Sequence, residues 1–314
     1  MAATVVPGST QRATSAALRS GADIDVSQRQ GQPWGRARRL APTLRIAVLT
    51  LGSLYFLGPV YWLLIAATKP PDALYSSPAL LLHSPQLLQN LRDLFSYEGG
   101  IYLRWLLNSG GYAVAGAAVG TLIAGMAGYY LAMFSFKWRE GIFLTVIGGM
   151  LVPSTALALP MFLLFARVNL TDTYWSVLLP SIVTPFGLFL CRLAAEASVP
   201  RDLVEAARID GAGESRIFVS IASRLMLPGL VTAFLAQFVG IWNNFLLPLV
   251  MLSNQNLYPV TLGLDTWQGQ TNHIEILQTL ILVGAVISIA PLVVAFLFLQ
   301  RFWRSGLALG SLKG

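Results

Sequence analysis

Six stretches of the chain stay apolar for about the 20 residues that a helix needs to cross a bilayer, and polar residues gather in the connections between them. They run from Leu44 to Thr68, Leu106 to Phe134, Ile142 to Phe165, Tyr174 to Leu193, Leu225 to Leu252 and Ile276 to Leu299. The pattern predicts an all-α, polytopic membrane protein with six transmembrane helices. Residues 1–43 are rich in Ser, Ala, Gln, Gly and Arg without apolar periodicity, and read as a disordered tail. The first apolar run begins late and has full spanning length, which argues against a cleaved leader. The predicted layout is a tail over 1–43, a membrane domain over 44–305 and a short tail over 306–314.

Within the spans, Gly116, Gly120, Ala124 and Gly128 recur every fourth residue along the second. Such a ridge of small side chains lets another helix approach closely. Pro59, Pro153, Pro160, Pro180, Pro185, Pro248 and Pro291 fall in or beside spans, and each missing N–H permits a kink.

Composition agrees: the chain is 55% hydrophobic and 11% charged, against about 25% charged in soluble domains. Its basic residues set an orientation. With the N-terminus inside, the cytoplasmic side holds Arg12, Arg19, Arg29, Arg36, Arg38, Arg39, Arg45, Lys137, Arg139, Arg192, Arg201, Arg208, Arg216, Arg224, Arg301, Arg304 and Lys313. Only Lys69, Arg92, Arg104 and Arg167 remain outside. The positive-inside rule therefore places both termini in the cytoplasm and accounts for the net charge of +7 without nucleic acid.

Little in the chain suggests catalysis. His83 and His273 fall in external loops, and the single Cys191 reads as a small buried hydrophobe. There is no GxxxxGK[ST] loop, so ATP would have to be handled by another subunit. The acidic residues all lie in connections or at helix ends, which disfavours a proton-coupled carrier.

The most ordered polar segment is EAARIDGAGESRIFVSIASRLMLP, residues 205–228. Pro200 and Asp202 suit a helix start, and Gly211 suits a left-handed helix stop. Leu203, Ala206, Ala207 and Asp210 share a face at helical spacing, and Ile217, Phe218 and Ile221 give a second helix an apolar stripe. Two readings stand at this level: an amphipathic hairpin lying on lipid, with Arg201, Arg208, Arg216 and Arg224 toward head groups, or a knob offered to a cytoplasmic protein.

The pattern E-A-A, three residues, G, then an apolar run ending in L-P resembles the EAA loop of bacterial ABC importer permeases, which docks into the ATPase subunits. EAARIDGA resembles the carbohydrate-uptake branch, whose inner-membrane subunits are MalG-like and depend on a binding protein. WLLNS at 105–109, WNNFLLPL at 242–249 and RFWRSGLALGSLKG at 301–314 resemble further family segments. The departures are the N-terminal extension and AGES after Asp210, where relatives more often carry an Ala-Ser pair.

The resemblance implies a MetI-like, type I importer permease fold and a transport subunit that is not itself an enzyme. It implies a second, MalF-like permease, a dimer of ATP-binding subunits that hold ATP and Mg, and an extracytoplasmic solute-binding protein, with no cofactor or metal in this chain. Glu205, Ala206, Ala207, Asp210 and Gly211 would make the coupling surface within a loop over 197–224. Gly306, Gly310, Lys313 and Gly314 would reach the ATPases. Trp267 and Gln268, in an external loop from Ser253 to Glu275, would face the binding protein, or simply belong to a solvated loop. Asn108, Gln237, Trp242, Asn243 and Asn244 offer hydrogen bonds and an aromatic face to a sugar, or bond helix to helix. Import of glycerol 3-phosphate or a glycerophosphodiester is the competing substrate reading.

Overall fold

The computed structural model describes the backbone of residues 37–310 and the side chains of residues 44–302. Residues 1–36 of the tail expected over 1–43, and residues 311–314, which include Lys313 and Gly314, lie outside the described residues. The chain divides into two compact units, residues 1–58 and 59–314. Of the first, the described part is the front of helix α1 (Ala37–Ala66), which begins inside the segment read as tail.

The second unit is helical, with no strand among the described residues. After α2 (Ala73–Ser76) and α3 (Leu87–Ser96) comes its axis, α4 (Ile101–Met133). One face of α4 is buried from end to end, through Tyr102, Trp105, Tyr112, Gly116, Gly120, Ala124, Gly128 and Ala132. Small residues in its middle and aromatic residues toward its ends explain what packs where. Against the middle lie α7 (Tyr174–Ile182), α8 (Pro185–Ser198) and α12 (Leu227–Trp242). A Cβ added at Gly116 would lie 2.6 Å from Ile241, and one at Gly128 would lie 2.6 Å from the Arg192 backbone. The ridge is therefore an internal packing seam of this chain.

Aromatic clusters form around each end of α4. Trp105 packs with Trp267, ring centroids 4.7 Å apart, above a core of Leu94, Tyr102, Leu277 and Leu280. Tyr129 packs with Phe218 at 5.5 Å over Cys191, Val204, Ile217 and Met226. Trp105 and Tyr129 are 24 residues apart along α4, about 36 Å at helical rise, so the clusters sit at opposite faces of a bilayer-thick layer.

Four helical segments are long and apolar enough to cross a membrane: Leu44–Ala66, Ile101–Met133, Tyr174–Ser198 and Ile276–Phe302. The last belongs to α15 (Ile276–Gly310). Two bent pairs bring the number to six. The predicted third span divides at Pro153 into α5 (Arg139–Gly148) with a short 3-10 turn, and α6 (Ser154–Arg167), bent by 100°. The predicted fifth span is not continuous either. Its α12 ends at Trp242, three residues intervene, and α13 (Leu246–Met251) follows. At its front it continues the preceding polar segment through an 83° bend.

Candidate functional site

The segment expected over 197–224 folds as α9 (Arg201–Ile209), a tight turn, α10 (Glu214–Ile217), a turn of π-helix over Phe218–Ala222 and α11 (Ser223–Leu225). Gly211 takes φ +79°, the left-handed stop its position predicts. The amide of Ala212 reaches back to the Ala207 carbonyl at 3.0 Å, and that of Asp210 to Ala206. The predicted second helix runs from Glu214 to Leu225 with a turn of π-helix inside it, and it buries Ile217 and Phe218.

The faces of α9 differ from the expectation in one respect. Val204 and Ala207 point inward, onto the Tyr129 and Phe218 cluster, so Ala207 belongs to the core. The outward face carries Leu203, Glu205, Ala206, Ile209 and Asp210. Ile209 is 86% exposed, and the helical pattern alone does not single it out. The one signal for it in the sequence is an aliphatic residue between Arg208 and Asp210 on a short helix otherwise polar on that side.

Arginines fasten this segment to the membrane helices. Arg201 donates to the Ala132 carbonyl at 3.1 Å, meeting one of the free carbonyls at the C-terminal end of α4. Arg208 forks onto Glu214 at 2.6 and 3.3 Å and lies over the Phe134 ring at 4.9 Å. The Glu214 carboxylate, through these bonds, holds the Arg208 guanidinium above its ordinary value. In the second half of α8, Arg192 bonds both Glu140 on α5 and Glu196, and covers the Phe143 ring at 4.1 Å. With these bonds made, the basic residues that would anchor a lipid-lying hairpin are partly engaged inside the protein.

The residues considered for a solute pathway bond or pack largely within the protein. Asn108 donates to the carbonyls of Asn256 and Tyr258 at 2.9 and 3.0 Å, and accepts from the Tyr174 hydroxyl. It is one rung of a rack on α4: Arg104 bonds Asn256, Trp105 bonds Gln255 and Tyr112 bonds Leu257, all through main-chain carbonyls of the 255–258 turn. Gln237 spends its amide nitrogen on carbonyls of neighbouring helices. Trp242 is buried and stacks on Phe238. Asn243 is exposed but bonds back to Val239, and Asn244 receives the Leu247 amide at 3.4 Å and Thr261 at its carbonyl. These amides serve the breaks between helices.

The segment after Ser253, expected to be an external loop, is also more structured than a loop. It contains α14 (Val260–Gln268), and Trp267 is 1% exposed, between Trp105 and Tyr97. A contact surface for another protein therefore excludes Trp267, whereas Gln268 beside it is exposed. Gly306 and Gly310 lie on the backbone of α15. No group of His, Cys, Asp and Glu able to hold a metal occurs among the described residues.

Against this geometry stand the relatives. Residues 120–307 match a family described as the binding-protein-dependent transport system inner membrane component. The arabinooligosaccharides transport system permease protein AraQ of Halalkalibacterium halodurans is 35% identical, the match covering 88% of this chain and 99% of AraQ. The lactose transport system permease protein LacG of Rhizobium radiobacter is 28% identical, over 88% and 98%. In fold, the chain is similar to a chain of a bacterial ABC transporter involved in the import of alginate, with a TM-score of 0.75 and 19% identity over 87% of this chain and all of that one.

Proposed function

Because the chain belongs to the family of binding-protein-dependent transport system inner membrane components, as a multi-pass permease subunit of an ABC importer for carbohydrate, we propose that its solute is an oligosaccharide and that α9 is where ATPase motion enters the membrane. The chain forms one half of the pathway, a MalF-like permease the other. A solute-binding protein delivers the sugar from outside, and a pair of ATPase subunits binding ATP and Mg closes on the cytoplasmic side. Both termini are cytoplasmic, and the C-terminal residues Gly306 to Gly314 reach toward the ATPases.

One observation carries the coupling role. α9 is backed by a buried aromatic cluster and pinned by Arg201, yet shows Leu203, Glu205, Ala206 and Ile209 outward. A lever needs that combination: a firm seat and a free face with an apolar knob among charges. The oligosaccharide reading leans on likeness to AraQ, and arabino-oligosaccharides are the first solutes to test. The test is a thermal-shift screen of the cognate binding protein against arabino-oligosaccharides, lactose, glycerol 3-phosphate and glycerophosphodiesters. A true ligand at about 100 times its Kd stabilises that protein by roughly 2.7 kcal/mol. A shift with glycerol phosphates alone would replace the sugar reading.

A further inference from the structure

Gln237 lies on α12, with the residue 8% exposed in the middle of an apolar span. Its amide nitrogen faces three main-chain carbonyls: Ser181 at 2.9 Å, Ile182 at 3.2 Å and Gly116 at 3.4 Å. Two of these form the end of α7, and the sequence explains why they need a donor. Pro185 has no N–H to offer the Ser181 carbonyl four residues before it. Val183 and Thr184 are extended, with ψ 120° and 98°, which ends α7 before α8 begins. In hydrocarbon no water can meet such carbonyls, so the protein must.

The neighbouring residues accommodate this amide at some expense. A Cβ at Gly120 would lie 2.5 Å from the Ile182 carbonyl oxygen and would overlap the Gln237 amide. The other end of that amide, Oε1, is buried without a partner. An apolar residue would avoid an unmet acceptor, so the donor end is what the position requires.

Chain topology gives the bond a mechanical sense. α8 runs directly into α9, and the same segment turns through 83° into α12. The two helices diverge from one cytoplasmic base and pack together where Gly229 meets Ala194. At the far end α8 joins α7 covalently through Val183 and Thr184, while α12 is hydrogen-bonded to the end of α7 through Gln237. We infer that Gln237 is a positioning residue for transport: it fastens α12 to the break in the fourth span, so that both arms of the coupling segment turn about one pivot at Val183–Thr184.

The inference rests on the coupling role given above, and its test separates the two. The complete complex, with Cys191→Ala in this subunit, is spin-labelled at Trp175 and Leu193, or at Trp175 and Val239. Each pair is measured without nucleotide and after trapping with MgATP and vanadate. Trp175 to Leu193 spans the pivot and shifts on trapping. Trp175 to Val239 lies close to it and stays fixed and narrow. In Q237M, which keeps the volume and loses the donor, Trp175 to Val239 shifts and broadens, and stimulation of ATP hydrolysis by loaded binding protein falls about tenfold, the order expected for one unmet buried polar group. Gly120→Ala, which displaces the amide, gives the same broadening. The pivot is overturned if a hydrolysing wild-type complex shows no change between Trp175 and Leu193, or if Q237M matches wild type in both pairs. A merely weakened Q237M, with lower thermal stability and an unchanged Trp175 to Val239 distance, also overturns it. If Q237M does not assemble, the wild-type pairs decide alone. Absence of any co-purifying ATPase would instead defeat the coupling role.

Discussion

Arg192 holds Glu140 with two parallel hydrogen bonds, 2.6 and 3.1 Å long, across 52 residues of sequence. The arginine is nearly buried on α8, whereas α5, which carries Glu140, has no buried residue at all. The fork, with Phe143 packed against Arg192 and near Phe189, is the principal polar fastening of α5 among the described residues. Reversing either charge therefore loosens α5, and Arg192→Glu with Glu140→Arg together restores it in part: the fork re-forms, but the exchanged carboxylate meets Glu196 and the exchanged guanidinium meets Arg139. Protease sensitivity of the 134–138 connection in membrane vesicles reports this: raised in each single variant and intermediate in the pair. Equal sensitivity in the pair and the singles would show that the bonds do not hold α5.

Gly120→Leu overfills the seam between α4, α7 and α12. An added Cβ already meets Ile182 and Gln237, and a whole isobutyl group forces the helices apart at a cost of about 1–3 kcal/mol. The expected result is a lower unfolding midpoint of the detergent-solubilised subunit. An unchanged midpoint would mean that α12 packs elsewhere.

Trp267 and Gln268 separate a core position from a surface one. Trp267→Ala opens a cavity between Trp105 and Tyr97 and destabilises the fold by about 3–5 kcal/mol. Gln268→Ala leaves thermal stability unchanged. A Trp267 variant that keeps its stability but loses response to the binding protein would return that residue to the surface.

In the coupling segment, Gly211→Val strains a left-handed position by about 1–2 kcal/mol and misplaces α9. Glu205→Lys and Ile209→Ser leave the backbone alone and change only the outward face. All three insert into the membrane and lose uptake. Glu205→Lys and Ile209→Ser do so with unaltered subunit stability, and the ATPase either fails to co-purify or hydrolyses without responding to loaded binding protein. Wild-type behaviour of all three in both assays would reduce α9 to a surface hairpin.

The spans are legible in the sequence because, in a chain this poor in charge, an apolar run of about 20 residues matches the thickness of a bilayer and little else. The helix breaks are not. Proline marks Pro153 and Pro185 as places where α-helix is weakened, yet Pro160 and Pro291 sit inside continuous helices, so the residue alone does not decide. Asn243 and Asn244 resemble sugar ligands because amides serve both purposes; in the fold Asn243 donates to the Val239 carbonyl and Asn244 accepts from the Leu247 amide, partners that the sequence alone does not reveal. Trp267 reads as solvent-facing because its neighbours Gln268, Gly269 and Gln270 are polar. Its burial depends on Trp105, more than 150 residues away in sequence, and on Gly263, whose lack of a side chain admits the Trp105 indole. On α9 the helical period places Ala206 and Ala207 side by side, but the direction of the core, set by Tyr129, divides them.

The branched aliphatic side chain of Ile209, held outward at the end of α9, bears on how firmly the subunits hold together. On the coupling role proposed above, docking of the ATPase covers this side chain, on a helix too firmly seated to fold it away by itself. Removing it from water then contributes about 1.5–3 kcal/mol to holding the subunits together.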